Sequence, residues 1–406
     1  MTATYASAAL ETPYTKEMER QRGVVIVMPV FLPEMWSGAE RQCSILAPQL
    51  VRLGWRVTVL TPTSVATLPH KEKRDGGVEV RRIYTPRLPF LGGRYLASAV
   101  SWTMRAFWHL ARNAHAYDAI YVFHARLHSA PAVLAATILR KPLAIKIGRG
   151  GETFDFLALS SKRFFYGSWL LSLVRTATRA FVANSAEISG DLRAARIPPA
   201  RIFELPNGVE APNEGSSHPR NRHVFLYAGR LSMEKRIDAL IEGFAAARRE
   251  APEIELHIAG GGPERAALEQ TAKRLGVADA VRFLGIVDRM GELYERAAFF
   301  ISASDSEGQS NAMLEAMAHG AIPIVCDASG VSDAVTHGET GLVFAGPTPV
   351  LLTSVMLAAA RLTGEERTEM ASQARARVDS RFEIGRVASA TSDLLHRLIT
   401  QNASRR

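Results

Sequence analysis

Gly229-Arg230-Leu231-Ser232-Met233-Glu234-Lys235 follows one apolar run of the chain, and Glu307-Gly308-Gln309-Ser310-Asn311-Ala312-Met313-Leu314-Glu315 follows another. Two cations and two carboxylates thus stand where a strand gives way to a helix. Arg230 and Lys235 suit a diphosphate, while Glu307 and Glu315, which as carboxylates only accept hydrogen bonds, suit sugar and ribose hydroxyls. Gly229 lets the backbone approach a ligand with no Cβ in the way. Gly308, Gln309, Ser310 and Asn311 offer unpaired backbone N–H groups at a helix start, a second cradle for an anion. The plainer reading makes Arg230 and Lys235 a solvated pair and Glu307 a partner of the helix dipole. It suits Glu315 poorly, because Leu314, Ala316, Met317 and Ala318 surround it with apolar neighbours.

Such junctions meet only if the strands are parallel, when all of them fall on one sheet edge. Runs rich in Val, Ile and Phe do alternate with helical stretches, the pattern of an α/β sheet covered by helices. The first half predicts strands at 24–30, 56–61, 78–84, 119–123, 143–147, 180–183 and 202–205, with a helix from Gly38 to Leu53 stopped by Gly54. The polar stretch Pro206 to Asn221 reads as a linker. Beyond it come strands at 223–228, 254–259, 281–284, 299–302, 322–326 and 342–344, a helix from Glu234 to Arg249 opened by Lys235, and three closing helices, the last near 384–399. At 406 residues two doubly wound domains facing across a cleft are expected. Their limits are 1–205 and 206–383, with the last helix, within 384–406, packing back on the first.

Composition narrows the function. Cys43 and Cys326 read as buried thiols in a reducing compartment, with no disulfide framework or metal-ligand spacing. The first 23 residues lack a secretory pattern, and no run reaches the roughly 18 apolar residues a spanning helix needs. A cytoplasmic protein, at most peripheral to a membrane, is expected. Residues 1–205 hold 27 Lys and Arg against 14 Asp and Glu, whereas 206–406 hold 22 against 26. A basic half beside a mildly acidic one points to an anionic surface. No RNA- or DNA-binding module accompanies the basic residues. Gly260-Gly261-Gly262-Pro263 lacks the spacing of a dinucleotide fingerprint, and no Walker loop, zincin motif or nucleophile elbow occurs.

Arg230 with Lys235, the Glu307-to-Glu315 spacing, Leu205-Pro206-Asn207-Gly208-Val209, Ala259-Gly260-Gly261-Gly262-Pro263, Val281-Arg282-Phe283-Leu284-Gly285 and Thr340-Gly341-Leu342-Val343 together resemble the retaining GT-B glycosyltransferases of family four. The resemblance implies that Arg230 and Lys235 bind the diphosphate of a nucleotide-sugar, Glu307 the donor sugar and Glu315 the ribose. Gly285, Ile286 and Val287 would border the base, and Gly38, in Ser37-Gly38-Ala39-Glu40, would approach the diphosphate from across the cleft. It also implies a metal-independent transfer, with no cofactor, to a glycan or lipid-linked acceptor in polysaccharide or lipopolysaccharide assembly. An inverting GT-B enzyme, a nucleotide-sugar epimerase or a non-catalytic nucleotide-sugar-binding protein are the alternatives.

Two positions depart from the family. Ser37-Gly38 replaces a paired glycine, keeping the second. The histidine usual after the strand at 143–147 is missing from Gly148-Arg149-Gly150-Gly151-Glu152-Thr153-Phe154-Asp155, where Arg149, Glu152 or Asp155 could stand in. His124, after the strand at 119–123, is another candidate for the cleft, or a structural histidine. Leu96 to Asn113 reads as an amphipathic helix with an apolar stripe of Leu96, Val100, Met104, Phe107, Trp108 and Ala111, and with Arg105, His109 and Arg112 on another face. That stripe either packs on the sheet or, with Lys162-Arg163-Phe164-Phe165-Tyr166 nearby, meets an anionic membrane.

Overall fold

The computed structural model describes residues 21–34, 37–87, 96–161, 166–212, 220–304, 309–327, 331 and 333–404. Its first sheet contains β1 (Gly23–Val27), β2 (Arg56–Thr63), β3 (Lys71–Lys73), β4 (Glu79–Tyr84), β5 (Ala119–Phe123), β6 (Leu143–Lys146), β7 (Ala180–Ala183) and β8 (Ile202–Glu204). Their order is β3-β4-β2-β1-β5-β6-β7-β8, parallel except where β3 pairs with β4. β1 and β5 are apolar throughout and buried at every residue, as a parallel sheet covered on both faces demands. β1 is shorter than expected: after Met28 donates to Leu60 O (3.0 Å), Pro29 has no N–H to extend the ladder. β3 escaped prediction because Lys71-Glu72-Lys73 carries no apolar alternation. A short charged segment suits a sheet edge.

The second sheet contains β9 (Asn221–Ala228), β10 (Glu255–Ala259), β11 (Val281–Gly285), β12 (Ala297–Ser302), β13 (Ile322–Cys326) and β14 (Leu342–Phe344), all parallel in the order β11-β10-β9-β12-β13-β14. Each sheet reverses its direction of growth once, between β1 and β5 and between β9 and β12. Chains leaving such neighbours part to opposite faces and open a crevice beyond the carboxyl ends, where ligands bind in doubly wound sheets. The Gly38 loop and His124 follow β1 and β5; Arg230 and the Gln309–Asn311 segment follow β9 and β12.

Five helices matter most for the site: α1 (Gly38–Arg52), α2 (Leu96–Arg112), α3 (Ile237–Glu250), α4 (Asn311–Ala318) and α5 (Ile384–Ala403). α5 places Ile384, Ala388, Leu395 and Leu398 in the core that Val24, Cys43, Trp55 and Val59 form on one face of the first sheet. Trp55 Nε1 donates to Ser392 Oγ at 2.8 Å. The chain therefore passes between the sheets twice, and the passes are stitched together: Val209 N donates to Phe382 O (2.8 Å) and Ile384 N to Val209 O (2.9 Å). A Cβ on Gly208 would lie 2.4 Å from Ile384 Cδ1 and 3.1 Å from its Cα. The stretch expected to be a linker is thus fixed at its start, and Asn221 already belongs to β9.

Of the two readings of the α2 stripe, packing on the sheet is the one the structure excludes. The helix buries Ala99, Trp102, Ala106 and Leu110 against the other face of the first sheet, while Leu96, Val100, Met104 and Trp108 are exposed. Trp102, unnamed in the stripe, anchors the helix by donating from Nε1 to His128 O (3.0 Å). Both cysteines are buried thiols, and among the described residues no helix is long and apolar enough to cross a membrane.

Candidate active site

The second-sheet edge is built from backbone. Gly229 N donates to Ala259 O (3.0 Å), Gly260 N to Gly285 O (2.7 Å), Leu231 N to Gly261 O (3.0 Å) and Glu264 N to Leu231 O (3.2 Å), zipping together the loops after β9, β10 and β11. No side chain fits between them: a Cβ at Gly260 would lie 1.8 Å from Gly229 O, and one at Gly262 2.2 Å from Leu231 O. The glycine run that fails as a dinucleotide fingerprint is therefore what lets this loop lie against Arg230. At the rim Gly285 takes φ 71° and Ile286 is 84% exposed, giving an uncovered aliphatic wall beside Val287.

Arg230 is exposed and paired with Glu234 at 3.1 Å, an i,i+4 surface pair that is weakly held. Lys235 does not open a helix as expected. It ends a 3₁₀ turn, Met233–Lys235, and Arg236 then takes a left-handed conformation (φ 48°) before α3 begins at Ile237. The break turns Ile237 and Leu240 inward while Lys235 stays on the loop with Arg230.

Across the switch point Ser310 caps α4, its side chain accepting from Met313 N at 3.3 Å. Here the first domain reaches over. Asn311 Nδ2 donates to Gly38 O (3.0 Å), and Gln42 Nε2 donates to Asn311 Oδ1 (3.1 Å) and Gly208 O (2.8 Å). Gly208 N returns a bond to Gln42 Oε1 (2.8 Å), and Asn207 N donates to Gln309 Oε1 (2.5 Å). Glu315 Oε1 accepts from Arg41 Nε (3.0 Å), Arg41 also pairs with Glu210 (3.1 Å), and Tyr294 Oη donates to Glu315 Oε2 (3.4 Å). Burial tends to lower the Arg41 pKa, but Glu315 and Glu210 outweigh it and raise it. Burial and the Glu315 charge push the Tyr294 phenol well up.

Sequence reasoning missed Gln42 and Arg41, and quoted Asn207 within a motif without giving it a role. The available signal was Gln42 itself, a polar residue on the buried face of α1 beside Cys43 and Leu46. The structure thus brings Gly38 and Asn311 together. Arg230, Lys235 and the loop from Gly285 to Val287 stand on the neighbouring strand ends. Glu307 and Gly308 lie outside the described residues.

The first-sheet edge is built from side chains. Asp155 is fully buried and accepts from Ala125 N (3.2 Å), Gly148 N (3.1 Å) and Arg126 Nε (3.2 Å). His124, in a left-handed conformation (φ 68°), holds Nδ1 3.4 Å from Asp155 Oδ2, beyond full hydrogen-bond distance. Burial alone would raise the Asp155 carboxyl, yet His124, Arg126 and the Gly148 N–H hold it well below the usual carboxylate range. The gap left by the absent histidine has a geometric reason, since a Cβ on Gly148 would lie 1.7 Å from His124 Cε1. His124 occupies that space. Of the proposed stand-ins, Asp155 supports His124 from beneath, whereas Arg149 and Glu152 are exposed. His128 is structural: burial pulls it down to about 3, and its Nε2 meets Phe123 O at 2.7 Å. Lys146 is buried too, which lowers its pKa to about 7, with Nζ 3.4 Å from Pro206 O.

Two doubly wound sheets, each with a switch point, and a polar seam shared by the loops beyond them define a two-domain α/β fold built to take a ligand between its sheet edges. Residues 36–211 match the model for glycosyltransferase family 4, and residues 210–377 that for glycosyl transferases group 1. The chain belongs to the group 1 glycosyltransferases and has the GT-B fold. It is 29% identical over 207 residues to the D-inositol 3-phosphate glycosyltransferase of Streptomyces scabiei, covering 45% of this chain and 46% of that protein. It is 30% identical over 184 residues to the GDP-mannose:cellobiosyl-diphosphopolyprenol alpha-mannosyltransferase of Xanthomonas campestris, covering 43% and 48%. The chain thus spans less than half the length of these relatives. Anabaena HepE, solved in complex with UDP and glucose, superposes with a TM-score of 0.72 at 19% identity, covering 92% of this chain and 99% of that one.

Proposed function

We propose that this chain is a retaining, metal-independent glycosyltransferase that moves a sugar from a nucleotide-sugar to a glycan or lipid-linked acceptor at the cytoplasmic face of a membrane. The observation that carries the reading is the switch point between β9 and β12, flanked by Arg230 and Lys235 on one side and by the start of α4 on the other. Arg230 and Lys235 would bind the donor diphosphate and stabilise charge on the departing phosphate. That supply of positive charge leaves no need for a metal. Glu307 would hold the sugar, Glu315 the ribose, and Gly285 to Val287, with exposed Ile286, the base. Gly38 would face the diphosphate, and positioning across the cleft would supply much of the rate. HepE, crystallised with UDP and glucose, and the Xanthomonas enzyme, named for a diphosphopolyprenol-linked acceptor, support this donor and acceptor class.

His124, 3.4 Å from Asp155, favours a second reading, because an imidazole beside a carboxylate is the proton acceptor an inverting displacement uses. A thermal-shift screen with UDP, GDP, ADP and their sugars finds the donor. Transfer in excess EDTA, with the product's anomeric configuration read by NMR, then separates the readings. A retained anomer made without metal is expected. An inverted anomer, or activity that returns only with added magnesium or manganese, overturns the corresponding part.

A further inference from the structure

α1 and α4 meet at their first turns. Asn311 Nδ2 donates to Gly38 O (3.0 Å), and one turn further along each helix Arg41 Nε donates to Glu315 Oε1 (3.0 Å). Contacts one turn apart on both partners lay the two starts side by side, so both helix N-termini lie together. Glu315 is the one carboxylate of α4, and both its oxygens are engaged. Oε1 takes the Arg41 bond, and Oε2 accepts from Tyr294 Oη over a longer 3.4 Å. Tyr294 stands in the helix Met290–Arg296 and is 2% exposed. Arg41 is steadied from behind by Glu210, at 3.1 Å. Both donors keep their protons. Burial works against the guanidinium, but Glu315 and Glu210 outweigh it, and burial with the Glu315 charge pushes the phenol well up.

The two donors come from different places. Tyr294 belongs to the same domain as Glu315, whereas Arg41 belongs to the other, three residues past Gly38 on α1. A carboxylate held on both oxygens cannot turn, and of its roughly four lone-pair positions about two stay open. Two acceptors side by side match two hydroxyls on adjacent carbons, as at the 2′ and 3′ positions of a ribose. We infer that Arg41 is a positioning residue for the donor ribose: it reaches across the cleft to set the Glu315 carboxylate for that diol, so that the first domain takes part in choosing ribonucleotide over deoxyribonucleotide donors. The inference rests on the reading that Glu315 meets the ribose. An ion pair that only clipped the domains together would need no particular partner, and Gln42 already clips them through Asn311 and Gly208. Arg41 goes instead to the carboxylate that Tyr294 also holds. With one donor removed Glu315 is free to turn, and a site built to bond a hydroxyl loses its means of rejecting a ligand that lacks it.

The test is calorimetric titration of the full chain with whichever of UDP, GDP and ADP raises its melting temperature, and with the 2′-deoxy form of the same diphosphate. The wild type is expected to bind the ribo form about tenfold or more tighter, the worth of a hydrogen bond to a charged group. Arg41→Met keeps the length of the side chain and removes its donors, and should bring the ratio down to about threefold or less, mainly by weakening the ribo form. Arg41→Lys, which keeps a cation beside Glu315, should restore part of it. Tyr294→Phe frees the other oxygen and should lower the ratio too, which carries the test if the Met variant does not fold. An equal loss for both diphosphates in Arg41→Met, with the ratio kept, makes Arg41 a clip between the domains and overturns the inference. So does a ratio and affinity that Arg41→Met leaves unchanged. Glu315→Ala separates this inference from the reading beneath it. If Glu315→Ala abolishes the preference and Arg41→Met does not, only the role of Arg41 falls. If the wild type shows no preference, or Glu315→Ala retains it, Glu315 does not hold the ribose and the inference falls with that assignment. If none of the three diphosphates binds, the donor reading itself falls.

Discussion

The two edges that face each other across the cleft are made of different material. On the second sheet, loops are joined amide to carbonyl through Gly229, Gly260, Gly261 and Gly285, and the charged side chains of Arg230 and Glu234 stand out in solvent. On the first sheet the working surface is a set of buried polar side chains, with Asp155 beneath His124 and Arg126, Lys146 near Pro206, and Gln42 against the interdomain crossing. A backbone edge keeps its shape whatever cations project from it. A side-chain edge makes stability and chemistry one problem, since its polar groups are buried or half-buried and lean on one another.

Exchanging side chains on the two edges should therefore give opposite signatures. The largest effect is expected from Lys235→Ala, and equally from Arg230→Ala. Steady-state kinetics should show kcat/KM falling about a hundredfold or more, as loss of one transition-state charge contact does, while the melting temperature stays put. Wild-type rates in Lys235→Ala would remove this edge from the chemistry.

Asp155→Ala should reverse the pattern and destabilise the fold by about 3 kcal/mol, because it strands two backbone N–H groups and the Arg126 charge around a buried site. Its pH dependence is specific. The folded carboxyl titrates below the unfolded value of about 3.9, so its contribution is present above that pH and is lost as pH falls toward the folded value. Urea melts of the wild type should lose stability steeply below about pH 4, and those of Asp155→Ala should run flatter there. Parallel acid limbs would show that Asp155 is not held by its charged neighbours. The smallest effect is expected from Trp55→Phe, which deletes the bond to Ser392 Oγ and leaves a small cavity in the core, together about 2 kcal/mol, measured as a shift in the urea midpoint with donor binding intact.

The same contrast decided what could be read beforehand. The second edge was legible because glycine spacing is a direct imprint of backbone approach, and nearly every strand there was found in place. The first edge was legible only as positions. That Gly148 leaves room for the ring of His124 depends on two neighbouring strands whose following residues lie side by side, and no local pattern encodes that. α2 was left open for a related reason: its apolar residues occupy two faces, and periodicity alone cannot say which one the sheet takes. The sheet took the face with Ala99 and Ala106, whose small side chains let the helix come close. Lys235 was misassigned to a helix because the left-handed Arg236 carries no glycine to announce the break.

The return of α5 to the first sheet has a consequence for how the molecule comes into being. A chain leaving the ribosome offers β1 to β8 first, yet that half lacks part of its own interior until Ile384, Ala388, Leu395 and Leu398 have been made. The second half, whose strands and covering helices are contiguous in sequence, can close as soon as it emerges. The order of completion is then the reverse of the order of synthesis. The half that carries α2 is finished last, when the second sheet and its helices are already folded beside it.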